Sequence, residues 1–369
     1  MKVKQFEPFI GMEEYEAIRS CFENNWITEG PKSEEFRELL CQKIGVKYGV
    51  FAPNGTLALY LGLRSMGIGP GDEVIVPDFT FIASATSVEM TGATPIFADI
   101  NADDLQINVD DCHRLITSRT KAIMPAHLYG MTADMDEVME FAEKYGIMVI
   151  EDAAQALGIR WKEKPCGSFG NVGCFSFFAD KTITTGEGGF VVTDDSDTYD
   201  KLRYLRNQGR MSRGTFKHPE IGYNFRMTDI QAAIGICQIG KMESIIEAKS
   251  DIYNQYREEL CDVGGAEIIG PKEGISPYIP FRIIMRTNSE SSEGIMGHLD
   301  SRAIETRTFF YPLHKQPCFE SIVENQEVDK LVNSVDAYNR GVCLPSYANL
   351  NKSQISYVCA AIREYYGSV

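Results

Sequence analysis

Cys174-Phe-Ser-Phe-Phe-Ala-Asp-Lys-Thr-Ile-Thr-Thr-Gly-Glu-Gly-Gly-Phe190 is the stretch on which the reading of the chain turns. An apolar run ends at Phe178, and Lys181 follows in a short loop. Two threonines and a Gly-Glu-Gly-Gly turn lead into a second run, Phe190-Val-Val-Thr193. The pattern is strand, loop, strand. It holds one lysine between two buried elements, where lost hydration lowers the pKa of an ammonium. The neutral amine is the form that condenses with a carbonyl. A lysine snorkelling beside a glycine turn gives the same pattern, so this stretch alone leaves both readings open. The turn is not a P-loop, because no Gly-Lys-Ser/Thr follows it.

Upstream, strand-like runs alternate with helical ones. Tyr48–Ala52, Glu73–Pro77, Thr94–Ala98, Lys121–Pro125 and Ile147–Ile150 read as strands. Leu57–Met66, Ile82–Thr91 and Asp134–Tyr145 read as helices. Alternation of this kind predicts a parallel sheet with right-handed crossovers, and near-continuous apolar strands predict burial on both faces. Before it come an extended arm over residues 1–12, a helix over Glu13–Asn25 and a loop over Trp26–Pro31. A second helix is expected to start at Ser33, with Glu34 and Glu35 favouring its dipole. After it come one long helix over Asp229–Gln255, a strand over Ile279–Met285 and a C-terminal helix over Lys352–Tyr366. Gly270–Gly274 and residues 288–294 read as surface loops. The expected division is a large α/β domain over residues 1–245 and a smaller α+β domain over 246–369.

In a parallel sheet, ligands sit beyond the carboxyl ends of the strands. Gly55, Thr56, Phe81, Asp152 and Gln155 all fall at such ends. A strand–glycine–helix join at Asn54-Gly55-Thr56 leaves free N–H groups that suit a phosphate, although a plain helix cap looks the same. Phe81 offers a stacking face, Asp152 a carboxylate and Lys181 an amine. Pyridoxal phosphate needs this set: donors for its phosphate, a plate for its ring, an anion for its pyridine nitrogen and a lysine for its aldehyde. Each residue alone has a structural explanation; their convergence is what points to the cofactor.

Composition narrows the class. The 369 residues carry a net charge of −16, which argues against nucleic acid or an anionic membrane as partner. Lys201, Arg203, Arg206, Arg210, Arg213 and Lys217 run against that balance, either as a solvated face or as a seat for an anion. The ten cysteines lack paired Cys-x-x-Cys spacing and read as reduced thiols of a cytoplasmic protein. The five histidines have no metal-ligand spacing, so no metal is expected. The N-terminus lacks the apolar core of a signal peptide, and no apolar run is long enough to span a membrane.

Asn54-Gly-Thr56, Pro77-Asp-Phe-Thr-Phe81, His127-Leu-Tyr-Gly130, Glu151-Asp-Ala-Ala-Gln155, Ser176 to Gly189 and Gly222-Tyr-Asn-Phe-Arg-Met-Thr228 together resemble the DegT/DnrJ/EryC1/StrS aminotransferases. The likeness covers nearly the whole chain. It implies a pyridoxal-phosphate-dependent transferase of fold type I that aminates keto sugars, with L-glutamate as amino donor. By position, Lys181 resembles the lysine that condenses with the cofactor and shuttles a proton. Asp152 resembles the pyridine-nitrogen partner, Gln155 the ring-hydroxyl contact and Phe81 the stacking aromatic. Gly55, Thr56 and Ser176 resemble the phosphate donors, and Asn224 a phosphate contact from the neighbouring subunit of a homodimer. Trp26, Thr28, Tyr311 and His314 resemble residues that reach the sugar. Trp26-Ile-Thr28, Arg119 to Pro125 and Thr306 to Pro312 look most like the branch that forms GDP-perosamine, a sugar of surface polysaccharides. That branch carries a Tyr-Trp pair before its Gly-Tyr-Asn motif, where this chain has Gly214-Thr-Phe-Lys-His-Pro-Glu220. Two alternatives therefore stay open: a small phosphorylated ketone as substrate, and a non-catalytic sensor that binds the cofactor.

Overall fold

The computed structural model describes residues 1–210, 216–288 and 291–367. Arg213 of the basic stretch, Gly214 and Thr215 of the departing segment and residues 289–290 of the expected loop lie outside the described residues. The main body is a seven-stranded sheet in the order Tyr48–Ala52, Gly189–Thr193, Val172–Ser176, Met148–Asp152, Thr120–Ile123, Glu73–Pro77, Thr94–Ala98. Gly189–Thr193 runs antiparallel to both its neighbours, and the other pairs are parallel. The loop around Lys181 forms no crossover helix, and the chain returns as the antiparallel partner of Val172–Ser176. The inner strands are apolar on both faces: Val74, Ile75 and Val76 are all fully buried.

The C-terminal part adds a four-stranded antiparallel sheet, Ala266–Ile268, Ile283–Thr287, Gly341–Leu344 and Arg307–Thr308. The helices Met242–Leu260 and Lys352–Tyr365 pack together beside it. Ile252, Tyr256, Ile283, Met285, Val342, Val358 and Ile362 form its core, which Val3 of the N-terminal arm joins. Val3 bridges to Ile304, so the arm is anchored to the C-terminal sheet unit rather than to the main sheet. The strand expected over Ile279–Met285 starts later, at Ile283, because Pro280 lacks the N–H a ladder needs.

Two expectations about helices change for a physical reason. The second helix begins at Pro31, not Ser33. Proline suits the first helical position, and the cap comes from far away in sequence. The Asp229 carboxylate accepts the N–H groups of Gly30 at 2.8 Å, Lys32 at 3.1 Å and Ser33 at 2.9 Å. The expected long helix from Asp229 is two helices, Asp229–Gly240 and Met242–Leu260. Gly240 is a weak helix former, and Lys241 at the break is held by Glu13 and Glu14 of the first helix.

Lys249 sits buried on Met242–Leu260, its Nζ donating to the Pro280 carbonyl at 3.1 Å. Burial, reinforced by the Arg282 charge and opposed by Asp180, brings its ammonium from 10.5 down to about 7. Between about pH 7 and 10 the unfolded chain then binds more protons than the folded one. Stability rises with pH across that window, and the penalty is fully present below it. Lys249→Met keeps the stem and removes the charge. It is expected to raise stability at pH 7 by on the order of 2 kcal/mol and to flatten the rise toward pH 10. Urea unfolding at both pH values measures this. Lower stability at both would show that the hydrogen bond to Pro280 outweighs desolvation.

Candidate active site

The carboxyl ends of the strands gather around a cavity of about 440 Å³. Gly55, Thr56, Phe81, Asp152, Gln155, Ser176 and Lys181 all line it. The C-terminal sheet unit closes the other side with Phe281, Arg282, Arg307 and Phe310. The cavity therefore lies between the two sheets, and its far wall was not legible from the strand-end pattern.

One end suits an anion. The helix Gly55–Ser65 points its N-terminus into the cavity, and Asn54 Oδ1 takes the Leu57 N–H at 3.0 Å. Among the described residues, the N–H groups of Gly55 and Thr56 meet no acceptor. A Cβ at Gly55 would stand 2.9 Å from Ser176 Cβ, so only glycine lets this turn close against the strand end. Ser176 Oγ accepts the Phe178 N–H at 3.3 Å and keeps its own hydrogen to donate. Two free N–H groups, two hydroxyls and a helix dipole converge there.

The other end holds Asp152. Its carboxylate is buried, takes the Ser84 hydroxyl at 2.6 Å and the Ala154 N–H at 3.2 Å, and meets no cation among the described residues. A carboxylate has about four acceptor sites, so capacity remains toward the cavity. Gln155 Oε1 accepts the N–H of Tyr129 at 2.8 Å, and among the described residues its amide nitrogen meets no acceptor. Tyr129 has φ 59°, in the left-handed region, and Gly130 after it has φ 94°. This strained pair turns the chain back under the cavity floor. Next to it the buried His127 ring donates from Nε2 to Glu151 at 3.0 Å and accepts the Ala133 N–H at Nδ1. Phe81 is well exposed, its ring edge-on to Phe310 at 6.3 Å, so one aromatic face is open.

Lys181 lies between these ends. Its Nζ is 4.3 Å from the centre of the Phe281 ring and 3.6 Å from Asp180 Oδ1. Burial pulls the ammonium below its ordinary range, Asp180 opposes that fall, and the Arg282 charge reinforces it. An amine, a buried carboxylate, an open ring face and an anion seat fit pyridoxal phosphate: Asp152 would hold its pyridine nitrogen, and Gly55, Thr56 and Ser176 its phosphate. The sequence reading missed Arg282, Arg307, Tyr129, Phe281 and Phe310. The Tyr-Gly pair carried a local signal, a turn, and Arg307 and Phe310 lie in the Thr306–Pro312 stretch, whose reading rests on family likeness alone.

Other expected site residues lie elsewhere. Trp26 and Thr28 line a second cavity of about 820 Å³ with Arg37, Arg203, Arg206, Arg210 and Arg226. It is larger, but among the described residues it has no amine and no unpaired buried carboxylate; Glu29 and Glu34 pair with Arg206 and Arg37, and the remaining arginines suit an anion. Asn224 is exposed, its Oδ1 accepting from Arg226 Nε at 2.7 Å. His314 is turned onto the buried Asp78, 2.7 Å from Oδ2, and Tyr311 packs edge-on against Tyr338. None of these lines the Lys181 cavity.

Comparison with known proteins gives a consistent result. The model of the DegT/DnrJ/EryC1/StrS aminotransferase family matches residues 8–363. A GDP-perosamine synthase of Escherichia coli O157:H7 is 38% identical over 362 residues, 98% of each chain. One from Vibrio cholerae is 36% identical over 99% of each chain. Among solved structures, DesV of S. venezuelae superposes with a TM-score of 0.93 at 32% identity, covering 100% of this chain and 99% of that one. Spr1654 of Streptococcus pneumoniae in its PLP form gives 0.94 at 26% identity, over 100% and 99%.

The position of Asp152 yields a test. Asp152→Asn keeps the shape and loses the charge. Turnover is expected to fall at least roughly a hundredfold, the scale of lost charge stabilisation, while cofactor binding weakens less. Steady-state rates and a cofactor titration measure the two. Near-normal turnover would leave the residue as a structural cap.

Proposed function

Since the chain belongs to the DegT/DnrJ/EryC1/StrS aminotransferase family, we propose that it moves the amino group of L-glutamate to the 4-keto carbon of a nucleotide-linked deoxysugar. It is a pyridoxal-phosphate-dependent aminotransferase of fold type I. The observation that carries the reading is the meeting of Lys181, Asp152 and the Gly55–Thr56 anion seat in one cavity. The relatives that make GDP-perosamine support a GDP-linked 4-keto sugar as substrate and a role in surface polysaccharide synthesis. The domain boundary near residue 245 is part of the proposal, within the helix Met242–Leu260.

When bound, pyridoxal phosphate supplies the aldehyde and the electron-withdrawing ring that let an amino group be exchanged for a keto oxygen. The chain supplies the rest. Lys181 Nζ, as the neutral amine that burial favours, takes a proton from the donor's carbon, and in its ammonium form it returns one to the acceptor's. Asp152 keeps a proton on the ring nitrogen. Phe81 offers its open face to the ring, and Phe281 and Phe310 on the C-terminal side exclude water from the reacting face. Glutamate brings two carboxylates, and Arg307 lines the cavity without a carboxylate partner among the described residues. It is the cation we assign to the donor.

We assign Asn224, with Trp26 and Thr28, to the cavity of a partner subunit in a homodimer, because all three stand away from their own Lys181. Met12, Tyr15 and Phe22 on the first helix and Ile221 before Asn224 are exposed, and apolar surface of this kind marks an interaction face. Tyr311 and His314, which follow the cavity-lining Phe310 along the chain, remain proposed as sugar contacts. No helix among the described residues is long and apolar enough to cross a membrane. All ten cysteines are free, which supports the cytoplasm as compartment.

The substrate class is tested with the amine-loaded enzyme and a panel of GDP- and UDP-linked 4-keto sugars, with a simple keto phosphate as control. Fast discharge by a nucleotide-linked sugar is expected, and discharge by the keto phosphate alone would overturn the assignment.

The shared site is tested by mixing. Lys181→Ala and an inactivating Asn224 substitution, each folded and dimeric, are unfolded together and refolded. Roughly a quarter of wild-type sites should return, because about half the dimers are mixed and each has one intact site. No recovery from exchanging parents would show that Asn224 serves its own subunit.

A further inference from the structure

Two cations share one aromatic ring behind the cavity. The Phe281 ring has Lys181 Nζ 4.3 Å from its centre and the Arg282 guanidinium 4.2 Å from it. Both side chains are largely buried, so their repulsion is weakly screened. One carboxylate separates them. Asp180 Oδ2 accepts from Arg282 Nη2 at 2.6 Å, and Oδ1 stands 3.6 Å from Lys181 Nζ. That Oδ1 is buried and, among the described residues, takes no hydrogen bond. Arg282 thus fixes one oxygen of Asp180 and leaves the other, unsatisfied, facing the reactive amine. A buried acceptor without a donor costs free energy, so a donor that reaches this oxygen is bound favourably.

We propose that Asp180, held by Arg282, is a positioning residue that serves as the counter-ion of Lys181: it sets the proton affinity of the amine and receives its ammonium whenever the nitrogen is not bonded to the cofactor. The inference rests on the reading of Lys181 as the cofactor lysine. Burial and Arg282 act against the ammonium, and Asp180 and Asp152 favour it. Lys249 lies behind the loop on Met242–Leu260, and Glu187 and Arg307 face Lys181 across the cavity. Of these groups, only Asp180 lies within ion-pair distance of Nζ. A Lys181 with no counter-ion would lose its proton too readily to deliver one. One paired on both carboxylate oxygens would hold its proton too tightly to act as a base. Sharing Asp180 with Arg282 places the amine between these limits.

The charges of Asp180 and Arg282 offset each other, so the test is a cycle. In cofactor-free enzyme, the pH midpoint of Lys181 reactivity toward acetic anhydride is read by peptide mass spectrometry. Asp180→Asn is expected to lower the midpoint by about one unit or more, the scale of losing an opposite charge at this distance. Arg282→Gln is expected to raise it. The double variant should return to within about half a unit of wild type, since both charges are gone. Asp180→Glu, which keeps the charge, should stay near wild type. An unshifted midpoint in folded Asp180→Asn, or in Arg282→Gln should the first variant fail to fold, overturns the proposal. Separately, borohydride trapping of the cofactor on Lys181 in wild-type enzyme reports on the parent reading. Its failure would sink that reading, whereas trapping with unshifted midpoints would sink only the counter-ion.

Discussion

A carboxylate cannot be buried without donors, and that constraint organises this chain. Asp229 takes its donors from the start of the helix Pro31–Ile44. Asp99 takes the N–H groups of Asn333 and Ser334 and so ties the C-terminal part to the main sheet. Asp78 holds both the ring and the backbone N–H of His314. Glu151 collects the N–H groups of Gly167, Phe169 and Gly170 together with His127. In each case an acidic side chain draws in groups distant in sequence, because charge-assisted hydrogen bonds are what make its burial tolerable.

Asp152 and Asp180 depart from this pattern in an informative way. Asp152 receives one hydroxyl and one local N–H and leaves acceptor capacity toward the cavity. Asp180 has one oxygen satisfied by Arg282, and among the described residues the other takes no hydrogen bond. Among those residues Asp229 and Glu151 take four donors each and Asp99 three, whereas Asp152 takes two and Asp180 one. Incomplete satisfaction is costly in a core and useful in a site that a ligand or a moving amine completes.

The cavity also explains why two sheets are needed. The parallel sheet offers donors and anions at its strand ends but no lid. The antiparallel C-terminal sheet brings Phe281, Arg282, Arg307 and Phe310 over it and dries the amine. The arginine-rich second cavity carries half of the basic stretch that composition left ambiguous. Arg203, Arg206 and Arg210 line it with Arg226, whereas Lys201 and Lys217 are exposed outside it.

The sequence by itself determined the strand–helix alternation, the residues at the strand ends and the lysine loop. These are local properties: apolar periodicity, glycine turns and the short span between two strands leave little choice. That is why Gly55, Thr56, Phe81, Asp152, Gln155 and Lys181 were legible before any fold was in hand, while Ser176 came from the family resemblance. Only the tertiary structure decided what faces them. Asp180 is adjacent to Lys181 in sequence, yet its role depends on Arg282, 102 residues away. The start of the second helix depends on Asp229, 196 to 199 residues from the groups it caps. The break at Lys241 depends on Glu13 and Glu14. Burial and charge pairing are long-range quantities, set by which segments the packed core brings together, and periodicity along one segment does not encode them.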